Sequence, residues 1–177
     1  GLRVRPVDLS HLPEELDRIR EVYNDAFADN CYFLPVSRDE YLYSADGLRL
    51  VTRPELNVIV EHGAEPVGVL QCMLDVNPLL QPMRTGRVTP LGLVRFLTGR
   101  ARIRRLVVYA VGIKKKWQRG RVHALLFAAL HRMAHDFDEL ETTWTSPDNP
   151  LALHAAARFG MMEDKHFGIF TRPLATV

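Results

Sequence analysis

The sequence predicts one α/β domain over residues 1–177. A length of 177 residues with 47% apolar content suffices to bury one sizeable core and is short for two. Runs of strand-like composition alternate along the chain with runs of helical periodicity. The most strongly strand-like of these runs leads through a basic, glycine-containing loop into an apolar helix, an order that bears on function as well as on fold.

Leu2 and Val4 alternate with arginines in a short strand, closed by Pro6 and an Asp8-Leu9-Ser10 turn. Leu16, Ile19, Tyr23 and Phe27 recur at helical spacing with Glu14, Asp17 and Arg20 off that face. Ser37-Arg38-Asp39-Glu40 has the form of a capping box, so a second helix should begin just after Ser37. Leu56 to Glu61 and Val67 to Leu74 read as an antiparallel hairpin turning around Gly63 to Pro66. Asn77 to Pro90, rich in Pro, Gly and Arg, reads as a loop, followed by a short helix over Leu91 to Leu97. Ile103 to Ile113 is β-branched and nearly uncharged after Arg105, as a central strand should be. An apolar helix is expected from Val122 to Asp136, a strand over Glu141 to Thr145, and a turn over Ser146 to Asn149. A helix from Leu151 to Phe159, closed by Gly160, and a last strand over Phe167 to Thr171 complete the chain.

No apolar run approaches the roughly 20 residues that a membrane helix needs, and the opening GLRVRPVD lacks the form of a signal peptide. These features lead us to expect a cytoplasmic protein with no membrane partner. A start at Gly1 rather than Met suggests a domain excised from a longer chain. Cys31 and Cys72 have neither framework nor metal-ligand spacing and read as reduced core thiols. His131 and His135 stand one helical turn apart, but no glutamate motif or third ligand accompanies them, so no metal is expected.

Charge is segregated. The formal net charge is only +2, yet no Asp or Glu occurs between Val76 and His135, a stretch that carries 13 of the 23 Lys and Arg residues. Such a local positive field favours a polyanionic ligand. Lys114, Lys115, Lys116, Arg119 and Arg121 crowd the loop between the central strand and the next helix. A helix start presents free backbone N–H groups and the positive end of the helix dipole, so this loop is a natural site for a pyrophosphate. Neither a Walker A sequence nor G-x-G-x-x-G spacing is present, which argues against nucleoside triphosphates and dinucleotides.

At this loop the chain resembles the GNAT (Gcn5-related N-acetyltransferase) superfamily, whose fourth strand leads into a pyrophosphate loop of the form Q/R-x-x-G-x-G/A that opens a helix. With Gln118 in the first position, Val122 and the following Ala-Leu-Leu fit the helix start, while Arg121 and His123 replace the small residues. With Gly120 as the central glycine, Trp117 and Val122 take the outer positions. The loop is thus a degenerate version of the motif. The resemblance extends from about Arg18 to Phe170, to a bacterial subfamily often built as two such domains in one chain. It is carried by Arg20-Glu21-Val22-Tyr23-Asn24, Phe33-Leu34-Pro35-Val36, Glu65-Pro66-Val67-Gly68, Asp75-Val76-Asn77, Pro90-Leu91-Gly92, Trp144 and Asp148-Asn149.

The resemblance implies a GNAT fold, with a central mixed, mostly antiparallel sheet flanked by helices, and acetyl-CoA or another acyl-CoA as cofactor. Backbone groups of Val111, Gly112 and Ile113 would pair with the pantetheine arm. Gln118, Arg119, Gly120, Arg121, Val122 and His123 would hold the pyrophosphate, and Asn149, a good N-cap in its own right, would help fix the cofactor. Asn30, Tyr32 and Asp75 are candidates for the acceptor side. The tyrosine that serves many such enzymes as general acid falls on Ala156, and a glutamate common in the subfamily falls on Pro147. Tyr109 and His154 are the remaining candidates for catalysis.

The expected function is transfer of an acetyl or other short acyl group to an amine of a small molecule or peptide. A GNAT-fold binding or scaffold domain without chemistry is the alternative. A nucleic-acid binder is a third and disfavoured reading, because the basic stretch lacks interleaved aromatics. A second copy of the chain or an adjacent domain is the expected macromolecular partner.

Overall fold

The computed structural model describes residues 1–30, 33–48, 50–82, 86, 89–170 and 172. In chain order the elements are β1 (Leu2–Pro6), α1 (Leu12–Phe27), α2 (Arg38–Leu48), β2 (Asn57–His62), β3 (Glu65–Leu74), α3 (Asn77–Leu80), α4 (Pro90–Gly99), β4 (Arg105–Ile113), α5 (Val122–Ala134), β5 (Glu139–Thr142) and α6 (Pro150–Arg158). The chain divides into two compact units, one from Gly1 to Glu141 and one from Thr142 onward.

The described strands form one sheet in the order β1-β2-β3-β4-β5, and the first four are antiparallel to their neighbours. Strand β5 is reached from β4 through α5, the kind of crossover that parallel neighbours require. Its first residue lies at the start of β4: the amides of Asp138 and Glu139 both donate to the Arg104 carbonyl, at 2.8 and 3.2 Å. The Arg105 guanidinium binds the Glu139 carboxylate from the same end. The sheet is therefore mixed and mostly antiparallel.

Helix α1 buries Leu16, Ile19 and Val22 on one face of the sheet, in a cluster with Val7, Ala45, Ile59 and Val69. Helix α5 buries Val122, Leu126, Ala129 and Leu130. Gly68 on β3 explains how closely α5 approaches: a Cβ there would lie 2.6 Å from Val122 Cγ1 and 3.5 Å from Leu126 Cδ1. Helix α2 starts as its capping box predicts, with the Glu40 carboxylate accepting from the Ser37 amide (2.9 Å) and hydroxyl (2.6 Å). Asn24 of α1 pins the connection before it, donating to the Val36 carbonyl and accepting from the Val36 amide, both at 3.0 Å. Four charged groups tie β1, α1 and β2 together. Arg5 binds Glu15 (2.5 Å) and Glu61 (2.8 Å), and Arg18 also binds Glu61 (2.5 Å).

Several boundaries differ from expectation. The stretch read as a loop from Asn77 contains α3, nucleated where Asp75 Oδ1 accepts from the Asn77 amide (3.1 Å) and side-chain amide (2.8 Å). Strand β5 begins at Glu139 rather than Glu141, because pairing with Arg104 starts there. Residues 167–170, expected to open a last strand, have no regular structure, with Phe167, Ile169 and Phe170 largely exposed; β-branched and aromatic composition forms a strand only where a partner strand pairs with it. Thr171 lies outside the described residues.

Candidate functional site

Strand β4 carries the first feature. Its register with β3 pairs Cys72 with Val108 and Gln71 with Ala110, so Tyr109 is an extra residue, a β-bulge. A bulge re-aims its side chain, and Tyr109 is 40% exposed, within reach of a ligand. Its phenol interacts electrostatically with those of Tyr23 and Tyr41. These belong to an aromatic cluster, with ring centroids 4.7 Å apart for Tyr23 and Phe27, 5.7 Å for Tyr23 and Phe33, and 6.2 Å for Tyr23 and Tyr41. Burial, with Tyr109 adding to it, raises the pKa of Tyr23 above the ordinary phenol value, and burial raises that of Tyr41 further. Both therefore stay protonated at neutral pH. Tyr41 Oη donates to Gln71 Oε1 at 3.3 Å.

Beyond the bulge, β4 outruns its neighbour. Four residues of β5 starting beside Arg104 extend about 13 Å and reach no further than about Val108, so Val111, Gly112 and Ile113 lie past its end. Gln118 then folds back, its side-chain amide donating to the Ile113 carbonyl at 3.3 Å.

The loop after β4 differs electrostatically from a ring of five free cations. Lys114 is buried, and its Nζ lies 2.5 Å from Glu21 and 3.2 Å from Glu65. Burial disfavours its charged form, but those two carboxylates outweigh the penalty and hold its pKa above the usual lysine value. Lys115 Nζ meets Asp29 at 2.7 Å and its amide donates to Asp25 Oδ1 at 2.7 Å, while Lys116 Nζ meets Glu65 at 2.9 Å. The three lysines, with Glu21 and Asp25 of α1 and Glu65 at the start of β3, line one mixed-charge cleft. Arg119 and Arg121 are exposed and have no acidic partner among the described residues.

Helix α5 begins at Val122 without a side-chain cap: Arg121 occupies the N-cap position and no side chain accepts from the first turn. Its first amides thus point into a region flanked by two arginines. Val122 is fully buried and anchors the helix start, and the His123 ring lies 6.4 Å from that of Phe127. Gly120 has no positive φ, and a Cβ there would sit 3.4 Å from the Trp117 carbonyl, an ordinary contact. The fold itself does not demand glycine there.

The structure therefore brings Tyr109, Val111 to Ile113 and Gln118 to His123 into one strand, loop and helix start. Asn149 and His154 belong to the second unit, where Asn149 Oδ1 accepts from the Ala152 amide at 3.1 Å and caps α6, as its residue type predicts. His154 is exposed on α6, and Ala156 is half-buried there. Asp75 is buried and bound to Asn77 and Arg105, a structural role. Asn30 is exposed after α1, and Tyr32 and Cys31 lie outside the described residues. Cys72 is buried, which pushes its thiol pKa up to about 12. His131 and His135 pack edge to face, and no group of three metal-ligating side chains occurs among the described residues.

The fold is shared with solved structures. Aminoglycoside N-acetyltransferase AAC(6')-Iy in complex with CoA matches 98% of this chain and 96% of its own, with a TM-score of 0.58 and 15% identity. PH1933 from Pyrococcus horikoshii matches over 96% of this chain and 94% of its own, with a TM-score of 0.66 and 16% identity. This chain has the GNAT acetyltransferase fold. An aminoglycoside acetyltransferase from a soil metagenomic sample, in complex with sisomicin, shares that GNAT fold with a TM-score of 0.57 and 13% identity, covering 98% of this chain and 96% of its own. Among curated proteins, the bacterial ceramide synthase of Caulobacter vibrioides is 26% identical over 98% of this chain, and Protein YghO of Escherichia coli is 20% identical over 97%. The matches cover 47% and 46% of those proteins, so the chain spans about half the length of the curated relatives it matches. No protein-family model matches.

Proposed function

We propose that this chain is an acyl-CoA-dependent N-acyltransferase domain that uses acetyl-CoA or another acyl-CoA as donor and an amine as acceptor. The observation that carries the reading is the run from the end of β4 into the uncapped start of α5, flanked by Arg119 and Arg121. It fits the donor's two chemical parts. The backbone of Val111, Gly112 and Ile113, past the end of β5, offers hydrogen-bonding groups to the pantetheine amides. The first amides of α5 and the two arginines offer donors to the pyrophosphate, with Gln118 holding the loop to the strand. Gly120 lets the backbone approach the diphosphate. The neighbour solved with CoA supports this assignment.

The thioester of the donor supplies an activated acyl carbon. The chain's contribution is to place that carbon beside an amine and to handle a proton. Tyr109, aimed by its bulge and set beside the Tyr23 and Tyr41 phenols, is the proposed proton donor to the departing thiolate, and the aromatic cluster would accept the apolar part of acyl group or acceptor. The ceramide synthase relative adds long-chain amino alcohols to the acceptors worth testing, beside aminoglycosides and simple amines.

Free thiol release from acetyl-CoA and from a long-chain acyl-CoA, followed over such a panel between about pH 6 and 9, tests the reading. The turnover expected climbs with pH as the acceptor amine loses its proton, because the family resemblance puts Pro147 at the position of the carboxylate that would take that proton. Tyr109→Phe should lower kcat by about 10² or more with little change in KM. A second reading, a GNAT-fold binding domain without turnover, is favoured by the pairing of Lys114, Lys115 and Lys116 with acids. CoA binding with no thiol release from any donor would select it.

A further inference from the structure

Helix α4 precedes β4 in the chain and buries little of its own surface. Its inward side carries Phe96, which is buried, and Gly99, where Leu79 of α3 packs so closely that a Cβ would lie 2.6 Å from Leu79 Cδ2. At 100° per residue, Leu91, Thr98, Val94, Pro90, Leu97 and Leu93 follow one another around a continuous outward arc. Leu91 is 68% exposed, Val94 57%, Leu97 49% and Leu93 44%. Thr98 is the one hydroxyl on this arc, and it donates back to the Val94 carbonyl at 2.8 Å, so it presents its methyl group rather than a free donor.

The border of the arc is cationic. Arg95 on α4 and Arg102 just beyond it are exposed, with no acidic partner among the described residues, and the sequence has no Asp or Glu from Val76 to His135. An apolar stripe edged by unpaired arginines complements an anionic bilayer surface: the leucines enter the acyl boundary while the guanidinium groups stay among the headgroups. No described helix is long and apolar enough to cross a membrane. Lying in the interface requires only one apolar face, so that observation leaves surface binding open.

We propose that the outward face of α4 docks this domain on the surface of an anionic lipid bilayer. The docking does not depend on the acyl-transfer reading and would serve a domain without turnover equally. A protein partner would be expected to meet the arginines with acids and to cover a flatter, more polar rim; the lack of any acid in this stretch favours headgroup phosphates.

Cosedimentation with vesicles of phosphatidylcholine alone and of phosphatidylcholine with about 30% phosphatidylglycerol tests the proposal. The protein should partition onto the anionic vesicles at least tenfold more strongly than onto the neutral ones, in keeping with roughly 1 kcal/mol for each arginine near the surface. Val94→Glu with Leu97→Glu, both outward-facing and so harmless to folding, should abolish binding, and Arg95→Gln with Arg102→Gln should lower it roughly tenfold or more while keeping the wild-type Tm. Equal partitioning on both vesicle types, no binding at all, or binding that survives Val94→Glu with Leu97→Glu would overturn it. Self-association without vesicle binding that is lost in the Val94→Glu, Leu97→Glu variant would overturn it in favour of a second copy as the occupant. Measuring CoA affinity on the same variants keeps the two readings apart, since it should not change.

Discussion

Tyr109 and Gly120 show how differently single residues can bear on this site. Tyr109 was identifiable as a strand residue near the end of β4, but nothing local marks it as the bulged position. The bulge comes from the register against β3, a partner more than 30 residues earlier. Tyr23, Phe27, Phe33 and Tyr41 were likewise visible as helix and loop residues, yet their grouping around one another depends on how the α1–α2 connection folds back through Asn24. Gly120 is the reverse case, since the motif that carried the family resemblance singled it out and the fold gives no steric reason for it. Gly120→Ala should therefore leave Tm within about 1 °C of wild type while weakening CoA binding about tenfold. Parallel thermal melts and calorimetric titrations check this, and a large loss of Tm would mean that the loop, rather than the ligand, needs the glycine.

Between elements, stability and site geometry are coupled through close packing. Gly68→Ala would force a methyl group to within 2.6 Å of Val122 Cγ1, a side chain that is itself fully buried. A loss of about 1–3 kcal/mol is expected, with weaker CoA binding because Val122 opens α5. Adding Val122→Ala should recover part of both, as a non-additive double-mutant cycle would reveal. The Arg5, Arg18, Glu15 and Glu61 network joins β1, α1 and β2 in a different way. Burial alone would raise the Glu61 pKa, but Arg5 and Arg18 hold it below the usual glutamate value. A lowered folded pKa means that the stabilisation is complete above the unfolded value near 4.5 and is lost as pH falls through the folded one. Melts between pH 7 and 3 should show Tm falling below about pH 4.5. Glu61→Gln should cost about 3 kcal/mol at pH 7 and flatten that fall.

For the whole molecule, the sequence made most of the architecture legible because the strands alternate with helices of clear period and several helix starts carry their own caps. Ser37 with Glu40, and Asn149, behave as their residue types foretell. Pairing was less legible. The early start of β5, the absence of regular structure over residues 167–170 and the turn of helix at Asn77 are all decided by neighbours in space or by one side chain such as Asp75. Charge was the least legible property. Counting along the chain shows a purely basic segment, but folding lays Glu21, Asp25, Asp29 and Glu65 against its three lysines and leaves Arg119 and Arg121 without acidic partners among the described residues. The salt dependence of CoA binding should accordingly be that of two arginines and a helix start, not of five cations. Calorimetric titration of CoA at about 50 and 300 mM salt, on wild type and on Arg119→Ala with Arg121→Ala, tests the central claim most directly. The account predicts binding that weakens with salt and falls about tenfold or more in the double variant, while Lys116→Ala changes it little. No heat with millimolar CoA at low salt, or binding that ignores both arginines, would contradict it.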